Sequence, residues 1–249
     1  MIIIKNESEI AKMREAGRVL ARTMREVSGT IVAGKTSLAE LDALAERLIL
    51  DAGCIPSFKG YRGYPAATCI SVNSVVIHGI PGAIVLEEGD IVDLDFGVIF
   101  DGWHADGAWT YPVGTVPEST TRLMNVTRES LYQGIAKARP GNRLGDIGAT
   151  VQKYVEANGY SVVRDLVGHG IGQSLHEEPS VPNYGKAGKG PVLKAGMTLC
   201  IEPMVNEGTH KIVTLEDGWT VVTADGKLSA HYEHTVAVTK DGPELLTVE

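Results

Sequence analysis

Cysteine is scarce in this chain of 249 residues. Cys54, Cys69 and Cys200 are an odd, scattered trio without CxxC spacing, which excludes a disulfide framework and points to reduced thiols in a cytoplasmic protein. No run of 18 apolar residues occurs, so no membrane span is expected. The N-terminus, Met1-Ile2-Ile3-Ile4-Lys5, turns charged too soon to resemble a signal peptide. An excess of positive charge is also missing. The formal net charge is −8, whereas a nucleic-acid surface needs clustered Lys and Arg. No low-complexity segment or long linker interrupts the chain. Hydrophobic residues at 43% and charged residues at 22% are ordinary globular values, and the length supports one substantial core, as a single domain or two fused halves.

What is present is periodic. Asn6, followed three residues later by Glu9, reads as a helix N-cap with its capping-box partner. Ile10, Met13, Gly17, Leu20, Met24 and Val27 then recur at helical spacing. A second helix begins after Thr36 or Ser37 and ends near Gly53. The theme returns with one helix from about Glu118 to Ala138, a break at Pro140-Gly141, and another helix running to Gly159. Leu38–Gly53 laid on Leu144–Gly159 pairs leucine with leucine, Glu40 with Asp146 and Gly53 with Gly159.

A second repeat carries charge. Gly89 opens the apolar strand that delivers Asp95, and 107 residues on Gly196 opens the one that delivers Glu202. Each strand is followed by a further carboxylate, Asp106 and Glu233. The helix and strand repeats have nearly the same offset, which indicates an ancient duplication. It predicts a pseudo-symmetric α/β fold, rich in antiparallel sheet covered by helices, with halves of roughly 1–115 and 116–249 and the site between them.

Asp101-Gly102 is the signature of a two-residue hairpin turn. With that turn, Asp95 lies opposite Ala108, and Asp106 is its diagonal neighbour on the same face. Diagonal neighbours have Cβ atoms roughly 7–8 Å apart or less, from which both carboxylates reach metals about 3.5–4 Å apart. Solvated strand residues are the bland alternative, but Asp95 closes the apolar run Ile91-Val92-Asp93-Leu94 and so belongs to a strand with a buried face. Asp93 shares that face and reads as a supporting or solvated acid rather than a ligand, while Asp90 and Asp101 look like turn residues. Buried carboxylates repel one another unless cations hold them.

In Gly168-His169-Gly170-Ile171-Gly172 a histidine stands among glycines, where backbone approaches a metal or substrate closely. His176 follows in Leu175-His176-Glu177-Glu178-Pro179, and His78-Gly79-Ile80 echoes the His-Gly-Ile of His169. Imidazole mixed with carboxylates suits Mn, Fe, Co or Zn rather than Mg or Ca.

These residues resemble the type I methionine aminopeptidases, metallopeptidases of the pita-bread fold. The matching motifs are Cys69-Ile70-Ser71-Val72-Asn73 with His78-Gly79-Ile80-Pro81, the Asp95–Asp106 hairpin, the two histidine motifs, Gly196–Met204 and Tyr232-Glu233-His234-Thr235. The resemblance implies two divalent metals, with Asp95 on one, His169 and Glu202 on the other, and Asp106 and Glu233 bridging. It implies that His78 and His176 act on the substrate without binding metal, and that Glu202 accepts the proton of a metal-activated water. It also places Tyr61, Tyr64, Cys69 and Trp219 around a methionine side chain, although read alone those aromatics are ordinary core residues. The implied function is removal of N-terminal methionine from peptides and nascent proteins whose second residue is small. The implied protein is a cytoplasmic monomer, one catalytic domain over 1–249, with the ribosome a candidate partner and no nucleic acid or membrane among its partners.

Several positions depart from the family pattern. Gly97 and Gly107 stand where hydroxyl residues are common, Asp93 where Asn is common, and His231 where Gln is common; Phe58 and Leu175 occupy variable positions near the pocket. The glycine at 107 is expected to cost Asp106 a supporting hydrogen bond. Proline-directed peptidases of this fold usually carry a large N-terminal domain, for which a motif helix starting near residue 7 leaves no space. Type II enzymes carry a helical insertion that the spacing from His176 to Glu233 excludes. A non-catalytic peptide-binding module would be expected to have lost ligands, and all five are present.

Overall fold

The computed structural model describes residues 1–249. In chain order, helices α1 (Glu7–Ser28) and α2 (Leu38–Asp51) precede short strands β1 (Ile55–Pro56), β2 (Thr68–Val72) and β3 (Val75–Ile77), then the long hairpin of β4 (Ile91–Phe100) and β5 (Trp103–Pro112). The second half again begins with two helices, α3 (Glu118–Ile135) and α4 (Leu144–Ala157). It continues through β6 (Ser161–Val162), β7 (Gly168–Gly170), β8 (Glu177–Val181), β9 (Thr198–Ile201) and β10 (Met204–Asn206). The remaining strands are β11 (Ile212–Thr214), β12 (Val221–Thr223), β13 (Ser229–His231), β14 (His234–Thr239) and β15 (Gly242–Leu245).

Local chemistry starts and stops these elements. Asn6 and Ser37 cap α1 and α2, and each forms the full reciprocal box with Glu9 or Glu40, which satisfies N–H groups that the first turn leaves free. At the hairpin tip Asp101 and Gly102 both have positive φ, 47° and 79°, the twist that two-residue hairpins require.

The strands divide into four antiparallel sheets. One is built on β4, with β1, β2 and β5; another runs β15-β14-β9-β7-β8. The sheet β11-β12-β3 joins strands of both halves, and the backbones of Ala108 and Glu233 exchange hydrogen bonds across the middle. Helices α1 and α2 bury Leu20, Leu41 and Ile49 against the β4 sheet, whereas α3 and α4 bury Leu131, Ile147 and Val151 against the other. Each such side chain contributes about 1.5–3 kcal/mol. A third cluster, with Met13, Phe58, Tyr64, Cys69, Leu175 and Cys200, lies between these cores and forms the surroundings of the site. Gly17 lets α1 lie directly on the C-terminal segment, since any Cβ there would overlap the carbonyl of Leu246.

Candidate active site

The hairpin register is the one that the turn implies, with Asp95 opposite Ala108 and Gly97 opposite Asp106. Because β4 and β5 are covered by α1 on one face, their acids on the other face point between the halves. Asp106 is fixed through its backbone. Its N–H donates to Thr235 Oγ1 at 2.9 Å, and the Thr235 hydroxyl donates back to the Asp106 carbonyl at 2.7 Å. From the other half, Glu202 directly follows β9, and Glu233 lies between β13 and β14.

His169 sits in the middle of β7. A Cβ on Gly168 would collide with the carbonyl oxygen of Cys200, and one on Gly170 with that of Glu178. These flanking glycines therefore permit close strand packing, not approach to a ligand as the sequence suggested. The His169 ring is oriented by its Nδ1, 2.8 Å from the Gly170 carbonyl oxygen. Donation there leaves the lone pair of Nε2 facing Asp106 Oδ2 and Glu202 Oε1, each 3.7 Å away. Burial first, then His176, pushes the ring down to about 3, so the imidazole is neutral at pH 7.

Asp95, Asp106, Glu202 and Glu233 are all less than a tenth exposed. Burial raises Asp106 to about 7. It carries Asp95, Glu202 and Glu233 well above the usual carboxylate range, and the neighbouring negative charges add to the effect. Oδ1 of Asp95, Oδ1 of Asp106 and Oε1 of Glu233 are buried without a hydrogen-bond partner. Orphaned, mutually repelling acceptors beside a free imidazole nitrogen fit a divalent cation, which satisfies the lone pairs and cancels the repulsion. One ligand atom each from Asp106, His169, Cys200 and Glu233 lies within 4.8 Å of the others. Cys200 was absent from the sequence-derived set. The signal that would have found it is strand alternation, since it precedes Glu202 by two residues and so shares its face.

A cavity of about 160 Å³ opens over this floor, lined by Asp95, Asp106, His169, Glu202 and Glu233 together with Tyr61, Tyr64, Cys69, His78, His176 and Trp219. Every candidate residue from the sequence reaches it. Phe58, Arg62, Ile77, Leu175 and His231 complete the wall, and of these Arg62 and Ile77 were not foreseen. Tyr64 packs edge-on against Trp219, with ring centroids 5.1 Å apart. Tyr61 lies stacked beside His176, and its hydroxyl is 2.8 Å from Nδ1 of that ring. His78 has φ 59°, and burial lowers its ring to about 4.

The departures from the family pattern have local reasons. A side chain on Gly97 would meet Ser57 and Phe58 at 2.6 Å. A Cβ on Gly107 would face Leu20 and Thr247, on the other side of β5 from the Asp106 carboxylate. Asp93 is buried rather than solvated, and its Oδ2 is 3.1 Å from Nδ1 of His231.

A buried carboxylate–imidazole cluster beneath a cavity the size of one side chain fits a metal-dependent hydrolase. Residues 11–240 match the model of metallopeptidase family M24. A methionine aminopeptidase of Clostridium perfringens is 56% identical over 248 residues, covering 100% of this chain and 99% of that protein. Methionine aminopeptidase 1 of Bacillus subtilis is 53% identical, covering 99% of each. The crystal structure of a methionine aminopeptidase from Thermotoga maritima superposes with a TM-score of 0.98 at 48% identity and full coverage of both chains. A prolidase from Pyrococcus furiosus, 24% identical, shares the fold with a TM-score of 0.80 over 99% of this chain and 66% of its own. The chain belongs to metallopeptidase family M24, among its methionine aminopeptidases. No helix is long and apolar enough to cross a membrane.

Proposed function

We propose that the protein removes N-terminal methionine from peptides and nascent chains whose second residue is small. The observation that carries this reading is the junction of the orphaned carboxylate cluster with a cavity of about 160 Å³. Sites for drug-sized ligands span about 300–1,000 Å³, so this one admits a single side chain. Tyr61, Tyr64, Cys69 and Trp219 give it an apolar, aromatic and sulfur-bearing wall, suited to a flexible thioether.

In this reading Asp95, Asp106, His169, Glu202 and Glu233 would hold two divalent ions, Asp95 serving one, His169 and Glu202 the other, and Asp106 and Glu233 both. The mixed nitrogen and oxygen donors suit Co, Mn, Fe or Zn. Such ions, when bound, lower the pKa of water and polarise the carbonyl. The protein supplies the rest. The acidic floor receives the α-amine, so a free amino terminus is required. Glu202 accepts the proton of the attacking water. His176, steadied by Tyr61, and His78, neutral at pH 7, contact the scissile amide and move its proton. The second substrate residue sits at the rim of the closed cavity, where bulk is refused. Both halves act as one catalytic domain of a cytoplasmic monomer that meets nascent chains, with the ribosome as a candidate partner.

A panel of Met-X-Ser peptides tests the proposal. Met-Ala-Ser should lose only its first residue, an amine-blocked version should resist, and Met-Lys-Ser should be refused. Equal kcat/KM for Met-Lys-Ser and Met-Ala-Ser would leave a broad aminopeptidase instead.

A further inference from the structure

His176 stands on a segment without regular structure, Ile171–His176, between β7 and β8. Part of what holds that segment lies outside the cavity. The N–H of His104 on β5 donates to the Gly172 carbonyl at 2.8 Å. Glu177, next after His176, takes no part in the cavity wall. Its Oε1 accepts from the N–H of Ser174 at 3.3 Å, and its Oε2 accepts from Nζ of Lys5 at 2.5 Å. Lys5 comes from the segment before α1, and its own N–H donates to the Gly196 carbonyl at 2.8 Å, two residues ahead of the strand that leads to Glu202. Two glycines make room for this contact. A Cβ on Gly172 would meet Glu177 Oε1 at 2.5 Å and Lys5 Cε at 2.6 Å, and one on Gly196 would meet the Lys5 carbonyl oxygen at 2.6 Å. The paired side chains are 1% and 6% exposed. For stability alone such a pair offers little, since hydrophobic residues of similar volume often do as well or better. What it adds is a fixed position, because hydrogen bonds between ionised groups are short and about twice as strong as neutral ones.

We propose that Lys5 and Glu177 are positioning residues for His176. Oε1 of Glu177 closes the turn that carries Leu175 and His176, and Oε2 anchors that turn to Lys5 and through its backbone to the approach of β9. The imidazole depends on this anchor because the ring itself is held by one hydrogen bond, from Nδ1 to the Tyr61 hydroxyl at 2.8 Å. The N-terminal segment, 172 residues away in sequence, thereby keeps His176 within reach of the scissile amide. A displacement of about 1 Å at such a contact costs up to about 100-fold in rate. The inference rests on the reading of His176 as a residue that contacts that amide.

The test separates position from stability. Lys5→Met should lower kcat on Met-Ala-Ser by about 10–100-fold, with KM and Mn(II) affinity barely moved. Adding Glu177→Leu removes the unpaired buried charge and should restore most of the stability, yet kcat should stay low because the anchor is still missing. Recovery of kcat together with stability would show that the pair only supports folding, and would overturn the proposal. If Lys5→Met does not fold, the double variant alone decides in the same way. In a His176→Ala background the double substitution should change kcat by less than about 3-fold, since losses that act through one group do not add. An equal loss in both backgrounds would place the effect elsewhere and overturn it. Amide hydrogen exchange of the metal-free protein reads the segment without turnover. The Gly172 amide, bonded to the Ser174 carbonyl at 3.1 Å, should lose protection in the double variant, and unchanged protection would overturn the anchoring. Failure of the wild type to cleave Met-Ala-Ser would refute the functional reading alone, because exchange still reports on the segment.

Discussion

Replacing Asp106 with Asn should stabilise the metal-free protein while destroying its metal site. Asp106 is 5% exposed, and burial raises its carboxyl from 3.8 to about 7. Each unit corresponds to 1.36 kcal/mol, so the ionised group costs the metal-free fold about 4 kcal/mol above pH 7. Asparagine removes that charge at nearly constant shape, but its amide must itself be desolvated, which costs about 1–3 kcal/mol. A net gain of about 1–3 kcal/mol remains at about pH 8. The sign of the pH dependence follows from proton binding. The folded state holds the Asp106 proton more tightly than the unfolded chain, so wild-type stability is regained as pH falls from about 7 toward 3.8. The advantage of Asp106→Asn should therefore fade over that window. Urea unfolding in the presence of EDTA at about pH 8 and about pH 4 measures it. Calorimetric titration of the same variant should show both metal equivalents weakened, because Asp106 is assigned as a bridge. An Asp106→Asn protein that is less stable than wild type in EDTA at the higher pH, or that binds two metals normally, would refute the reasoning.

Two further outcomes concern groups around the cluster. Lys5 and Glu177 form an ion pair at 2.5 Å with side chains 1% and 6% exposed, tying the N-terminal segment to the strand that follows His176. Lys5→Met should cost about 3–5 kcal/mol by leaving Glu177 buried and unpaired, and adding Glu177→Leu should return most of it in urea unfolding; an exposed-pair value below 1 kcal/mol would show that water reaches the site. His78→Ala should lower kcat by about 10²–10⁴ with metal content unchanged by elemental analysis; metal loss would instead make His78 a ligand.

Much of this architecture is written locally. Asp101-Gly102 is enough to set the β4–β5 register, because a two-residue turn leaves one pairing, and that pairing puts Asp95 and Asp106 on one face. Asn6 with Glu9, and Ser37, mark helix starts because a capping side chain and its backbone partner are separated by only three residues. The two glycine-to-carboxylate strands and the histidine motifs marked residues that the structure gathers around one cavity, since few other functions call for so many acids on apolar strands.

What the tertiary structure decided lies between segments that carry no local trace of one another. Asp93 and His231 meet across 138 residues, and Lys5 reaches Glu177 across 172. Cys200 joins Asp106 and Glu233 only because β9 and β14 pair beneath the hairpin. The division into four sheets, and the use of Gly168 and Gly170 for strand contact, likewise depend on how the halves dock. Turn chemistry and side-chain period act over a few residues and so can be read along the chain. Which buried polar atoms find partners, and which are left for a metal, depends on how the sheets and helices pack, and no single segment encodes that.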